Sequence, residues 1–337
     1  MTDRERADRL RAQFGEGTAS GESNAAAIWE AFDLLLDTER FLNLGYSPWY
    51  LPHAVGSSQR RMALQLGRRL GHRLGYTAGV ELLDVGCGRG GPSVDLLRTF
   101  GFDVTGVDLV GHNVELARRT AATERVDAGF LVGSATRLPV ATDSVQVCVL
   151  VDAAPYISDK EALLSEVARV LEPGGVLAMS DLLQIEDADA TAVERFTETW
   201  DMAPLTTLEH YREVVPECGF VARRYEDVTA HSVGRFGFWA ELFLALSRTP
   251  LGAVADRVLG RAGVDLAAVT EQVEATRPAL ADLRHYVVTA RLDDQEGIAG
   301  EWQTRSKRSE VSTSRSPSSS GTIDRLSIAA TYSRMSR

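Results

Sequence analysis

The feature that most constrains this chain is an apolar run that breaks into a glycine-rich turn, Leu82-Leu83-Asp84-Val85-Gly86-Cys87-Gly88-Arg89-Gly90-Gly91-Pro92. A β-rich run entering such a turn, with Pro92 opening the next segment, reads as a strand, a tight loop and a helix. Glycines there permit positive φ and let a ligand lie against bare backbone, while the helix N-terminus offers free N–H groups. Something nucleotide-like fits that geometry. The next β-rich run ends at Asp108, 18 residues after Gly90. At that spacing a carboxylate on the second strand tip can accept hydrogen bonds from ribose hydroxyls.

The pattern around the turn fixes the fold class. Short β-rich runs at Val80–Val85, Asp103–Val107, Gly129–Val132, Val145–Val151 and Val176–Ser180 alternate with helical stretches such as Pro92–Phe100 and Lys160–Leu171. Strands alternating with helices imply α/β architecture, a doubly wound, mostly parallel sheet. Gly219–Val228 and Leu283–Leu292 read as two further strands, giving seven. Asn24–Leu36 and Ser57–Leu74 read as amphipathic helices flanking an aromatic loop, Asn43–Tyr50.

The expected organisation is a helical cap and aromatic lid over residues 1–75 and a ligand-binding α/β core over 76–230. A helical insertion over the active site at 231–282 and the final core strand at 283–300 follow. Residues 301–337 contain 11 serines, too few apolar residues for a core, and read as a disordered tail.

Composition removes several function classes. The net charge is −11, so no broad positive field awaits a phosphate backbone, and nucleic acid is not expected as a partner. The three cysteines, Cys87, Cys148 and Cys218, are widely spaced with no Cys/His cluster, so neither a disulfide framework nor a metal site is expected. No secretory segment and no run of 18 apolar residues is visible, which predicts a cytoplasmic protein without stable membrane insertion. A homo-oligomer is compatible with the sequence.

Gly86, Gly88 and Gly91 also satisfy the dinucleotide fingerprint, so a nicotinamide cofactor competes for the turn. Asp84 weighs against it: two residues before the first glycine, a carboxylate repels a pyrophosphate but suits a cationic amino-acid ligand. With that acid, the turn, Asp108, Gly133-Ser134-Ala135 followed by Leu138-Pro139, and Val170-Leu171-Glu172-Pro173-Gly174-Gly175-Val176-Leu177, the chain resembles the class I S-adenosylmethionine-dependent methyltransferases. The resemblance covers Val80–Leu183, more loosely Phe41–Leu292. It lies nearest the small-molecule branch that includes ubiquinone, tocopherol, sterol and natural-product tailoring enzymes, which often carry a segment like Phe41-Leu42-Asn43-Leu44-Gly45-Tyr46.

The resemblance implies a methyltransferase that uses S-adenosylmethionine. It implies that Gly86, Gly88 and Gly90 pack under the methionine and ribose part of the cofactor, that Asp108 holds the ribose with Leu109 beside the adenine, that Ser134 and Ala135 border the adenine, and that Val151 lies beneath the sulfonium. Ser134 departs from the aspartate usual there. The loop after the fourth strand, Asp152-Ala153-Ala154-Pro155-Tyr156, lacks the histidine many relatives use as a base.

The expected substitutes are Asp152 as anchor or base, His231 as general base and Tyr156 as an orienting hydroxyl. Asp181, at the tip of the fifth strand, is expected to face the crevice. His53 is a remoter candidate base, and His72, His112, His210 and His285 read as structural or surface residues. Tyr46, Trp49, Tyr50, Trp200 and Trp239 are expected to wall an apolar small-molecule substrate, although part of the aromatic set has the spacing of an ordinary buried helix face. The expected reaction is O-methylation in natural-product biosynthesis. The alternatives are carbon methylation of an alkene or quinone-type acceptor, and a cyclase or binding protein that keeps the cofactor without transferring methyl.

Overall fold

A computed structural model describes residues 8–9, 40–48, 57–262 and 265–294, all before a division of the chain after Asp294. The expected helix Asn24–Leu36 and the serine-rich tail lie outside the described residues. Helix α1 (Ser57–Leu74) precedes β1 (Glu81–Val85), α2 (Gly91–Phe100), β2 (Asp103–Asp108), α3 (Gly111–Glu124), β3 (Gly129–Val132), β4 (Val145–Val151) and a 3-10 turn, Ala154–Tyr156. Then come α4 (Lys160–Val170), β5 (Leu171–Gln184), α5 (Ala190–Thr199), α6 (Leu208–Glu217) and β6 (Phe220–Asp227). Between β6 and β7 (Leu283–Leu292) lie α7 (Val233–Ser247), α8 (Pro250–Leu259), α9 (Leu266–Thr276) and 3-10 turns including Thr229–His231 and Arg277–Ala281.

The strands form one seven-stranded sheet in the order β3-β2-β1-β4-β5-β7-β6, parallel except for β7, which runs antiparallel to both neighbours. Both faces are covered, as a parallel sheet requires. β4, Val-Gln-Val-Cys-Val-Leu-Val, sends Cys148 and Leu150 into a cluster with Leu163 and Val167 of α4 and Tyr211 of α6. Val147, Val149 and Val151 point the other way, into a cluster with Met62, Leu66 and Leu70 of α1. Helix starts follow local chemistry: Asp159, Asp189 and Asp265 each accept the first free N–H groups of α4, α5 and α9. The strand order reverses between β1 and β4, and a crevice opens outside their carboxyl ends.

β5 is longer than the Val176–Ser180 run in the sequence, because β7 pairs with it from Val176 to Gln184 and extends it beyond its parallel partner. A second correction concerns Asp181. Its side chain is fully buried on the α4 and α6 side of the sheet, accepts the Tyr211 hydroxyl proton and sits 3.3 Å from Lys160 Nζ. Lys160 also donates to the Ala154 carbonyl, so the cluster fastens the turn after β4 to β5. Burial pushes the Asp181 pKa up against the opposing pull of Lys160 and Tyr211. Asp181→Ala leaves a buried ammonium without its counter-charge and should destabilise the fold by about 3–5 kcal/mol, read from urea denaturation. The double variant with Lys160→Met should recover most of the loss.

Candidate functional site

Outside the carboxyl ends of β1, β2 and β4 lies a cavity of about 230 Å³. Its floor is the glycine turn. Gly86 has φ 73°, and a Cβ placed there would stand 2.3 Å from Ala153 Cβ, so only a glycine lets the two loops meet. Gly88 lines the cavity too, with Leu42 of the N-terminal segment directly across it. Gly90, by contrast, faces Ala117 of α3: a Cβ would lie 2.9 Å from that residue, and its φ of 82° starts α2. On that side it supports the turn against α3.

Asp108 ends β2 at the cavity wall. Its Oδ2 accepts the Gly88 N–H at 2.9 Å, and its Oδ1 accepts the Val110 N–H at 2.9 Å and the Asn113 Nδ2 at 3.3 Å. Burial raises its pKa, and these donors resist the rise. A carboxylate offers about four lone-pair positions, so the three internal donors leave room for an external hydroxyl. Leu109, Ser134 and Ala135 complete that end of the cavity, with the Ser134 Oγ held 3.0 Å from Thr136 Oγ1.

Asp84 is not at the cavity surface. It is fully buried behind the turn, accepts the Ser93 hydroxyl proton on Oδ2, and its Oδ1 has no partner among the described residues. Burial lifts its pKa to about 7, with Asp108 adding to the rise and Ser93 opposing it. This placement corrects the expectation of direct contact with a cationic ligand.

At the other end stands the tip of β4. Val151, Asp152 and Tyr156 all line the cavity. Asp152 has φ 55°, a left-handed conformation that aspartate tolerates better than most residues. Its N–H donates to Ser180 Oγ at 3.0 Å, and the Ser180 hydroxyl donates back to Oδ1. Oδ1 also meets His285 Nε2 at 3.0 Å, and Oδ2 accepts the Leu44 N–H at 2.8 Å. Burial raises the Asp152 pKa, but His285, Ser180 and the Leu44 N–H outweigh it and hold the carboxyl below its ordinary value. Burial together with the Asp152 and Asp201 charges pushes the Tyr156 phenol well above the usual tyrosine range, so it stays protonated and can donate.

The remaining expected residues are elsewhere. His231 does not line this cavity: its ring stacks on Tyr46 with centroids 4.7 Å apart, and its Nδ1 lies 3.2 Å from the Ser47 carbonyl, so it pins the N-terminal segment to the turn before α7. Trp200 is buried in an apolar cluster with Phe196, Leu205 and Leu283. Trp239 is 37% exposed and meets Phe238 edge to face. Trp49, Tyr50 and His53 lie outside the described residues. Reasoning from sequence missed Leu42, Asn113 and above all the contact of His285 with Asp152; His285 is buried, in keeping with the structural half of its expected structural or surface placement. A signal existed for the last: an antiparallel strand starts where its parallel neighbours end, so the first inward residues of β7 pack beside the crevice.

The donor set discriminates between nucleotides. Asp108, Asp152 and Asp159 are among the described lining residues, and no Lys, Arg or His is. A pyrophosphate would meet three carboxylates and no counter-charge, whereas a sulfonium with a ribose and an adenine meets anions, a hydroxyl acceptor and an apolar slot. Residues 83–179 match the family model described as a methyltransferase domain. The chain is 30% identical over 214 residues to the O-methyltransferase resE of Aspergillus sclerotiorum, an alignment covering 61% of this chain and 79% of that protein. The chain belongs to the class I S-adenosylmethionine-dependent methyltransferases.

The methyltransferase is also 28% identical over 230 residues to the 27-O-demethylrifamycin SV methyltransferase of Amycolatopsis mediterranei, covering 66% of this chain and 83% of that one. Its fold is similar to that of geranyl diphosphate C-methyltransferase from Streptomyces coelicolor, with a TM-score of 0.62 at 17% identity, covering 85% and 97% of the two chains. Among the described residues no helix is long and apolar enough to cross a membrane, and no group of His, Cys, Asp and Glu is arranged to hold a metal.

Two outcomes test the methyltransferase site. Asp108→Ala should weaken S-adenosylmethionine binding by about 1–3 kcal/mol, the scale of a lost hydrogen bond to a charged group, measured by calorimetry. Asp84 binds a proton in the folded state up to about pH 7 but in the unfolded state only up to about the ordinary aspartate value of 3.8. Folding stability should therefore fall as pH rises from about 4 to 7 and level off above. In Asp84→Asn that fall should be reduced, read from denaturation midpoints across the range.

Proposed function

We propose that this methyltransferase methylates an apolar small molecule at oxygen, as in natural-product biosynthesis, with Asp152 receiving the acceptor's proton. The observation that carries the reading is the Asp152 carboxylate at the β4 tip, lining the cavity with three internal donors and one lone-pair position to spare. Bound S-adenosylmethionine supplies an electrophilic methyl on a sulfonium. Gly86 and Gly88 offer bare backbone beneath its methionine and ribose part, with Asp84 behind them fixing the turn through Ser93. Asp108 would accept a ribose hydroxyl, Leu109, Ser134 and Ala135 would border the adenine, and Val151 would lie beneath the reacting centre; all five line the cavity.

The acceptor hydroxyl donates to Asp152. As its oxygen forms the new bond to carbon and the sulfur–carbon bond breaks, the proton passes to the carboxylate. Alignment and exclusion of water carry most of the rate in such a displacement. Tyr156, neutral at working pH, orients the acceptor through its hydroxyl. Three free, buried cysteines accord with a cytoplasmic enzyme, and the acidic cavity accords with a free small molecule rather than a nucleic acid as its partner.

The test is calorimetry of the full chain with S-adenosylmethionine and S-adenosylhomocysteine, then a panel of hydroxylated lipophilic acceptors. One S-adenosylhomocysteine should form for each methyl ether. Conversion without it would mean a cyclase on this scaffold, and a new carbon–carbon bond would move the acceptor to carbon. Asp152→Asn should lower kcat by about 10²–10⁴-fold, the usual contribution of a positioned general base, with cofactor affinity within about threefold.

A further inference from the structure

Beside the cavity, on β7, His285 is 1% exposed and reaches Asp152 Oδ1 with Nε2. Its backbone is fixed on both sides: its N–H donates to Thr229 Oγ1 at 2.9 Å, and its carbonyl accepts the Val228 N–H at 2.8 Å. Its Nδ1 is buried and has no hydrogen-bond partner among the described residues. Toward an ionised Asp152, Nε2 must carry the hydrogen. The second nitrogen is then either a bare lone pair or an orphaned N–H. Nε2 is therefore the nitrogen whose hydrogen points at Oδ1.

That choice bears on the proton acceptor. Oδ1 of Asp152 takes the Ser180 hydroxyl and the His285 N–H. Two donors aimed at one oxygen leave no place there for an incoming proton, whereas Oδ2 holds only the Leu44 N–H. The carboxylate is thus oriented, with Oδ1 as its carbonyl-like end and Oδ2 as the end that can become O–H.

We propose that His285 is a positioning residue for methyl transfer: through its Nε2–H it fixes Asp152 Oδ1 and so turns Oδ2 to the cavity as the atom that takes the acceptor's proton. The inference rests on the reading of Asp152 as proton acceptor. When the acceptor's O–H bond breaks, its hydrogen ends on Oδ2 while His285 and Ser180 keep their own hydrogens.

The full-length protein tests this first without turnover. In nitrogen NMR of labelled histidines, the His285 resonances should show a hydrogen on Nε2 in the cofactor-free protein, and Asp152→Asn should perturb them. A bare Nε2 would overturn the proposal. In turnover, His285→Leu should lower kcat about 10–100-fold, the scale for removing an orienting partner, with acceptor KM and cofactor Kd unchanged. His285→Gln, which can present an amide N–H near the Nε2 position, should restore most of that loss. If both variants lose stability and activity together, with Gln restoring nothing, His285 is a packing residue and the proposal falls. If Asp152→Asn methylates at the normal rate, the reading of Asp152 itself fails. If Asp152→Asn is inactive while His285→Leu is fully active, only the role of His285 fails.

Discussion

A carboxylate buried at the end of a parallel sheet must be surrounded by donors, and at Asp152 that demand gathers the molecule's remote parts. Leu44 from the N-terminal segment, Ser180 from β5 and His285 from β7 converge on it. They lie 108, 28 and 133 residues away in sequence. The left-handed turn at Asp152 persists because these contacts fix it, and the Ala153–Tyr156 stretch that follows takes its position from there. Ala153 in turn presses on Gly86, so the depth of the glycine cradle depends on the same anchor. The Lys160, Asp181 and Tyr211 cluster holds the stretch from the opposite face of the sheet. A small shift at the β4 tip would therefore be felt at both ends of the cavity.

What the sequence made legible was local. A strand, a glycine turn and a helix are encoded within a dozen residues, and Asp108 is one strand further on. Those elements, the seven strands and their mostly parallel order agree with the structure. Legibility failed where the decisive partner is remote. Nothing near Asp84 in sequence says that Ser93 will seal it, and nothing near Gly90 says that Ala117 will pack against it. His285 sits in an apolar strand pattern that matches a buried packing position, and only pairing with β5 brings it to the crevice. His231 failed in the opposite direction: a histidine at a strand end suggests chemistry, but Tyr46 offers its ring a stacking partner first.

The cavity's charge separates this fold's two kinds of nucleotide chemistry more sharply than the glycine spacing does. The same turn geometry serves a pyrophosphate when the walls supply cations or free helix dipoles, and a sulfonium when they supply carboxylates. Here the dipole at the start of α2 is spent locally, since Gly91, at its first position, gives its N–H to the Arg40 carbonyl. With α2 occupied and acids at both ends of the cavity, fixed charge and backbone select against an anion together.

The position of β7 has a consequence for how the molecule comes into being. β6 touches the sheet only through β7, which slots between it and β5. As the chain leaves the ribosome, β1 to β5 emerge with their neighbouring strands already made, but β6 has no strand to pair with until residue 292 has emerged. Pairings across so long a stretch close late and slowly. The last strand to arrive brings His285 with it. The contact between His285 and Asp152 is thus made by the same event that seals the sheet, so a chain interrupted before β7 lacks one of the three donors that converge on Asp152.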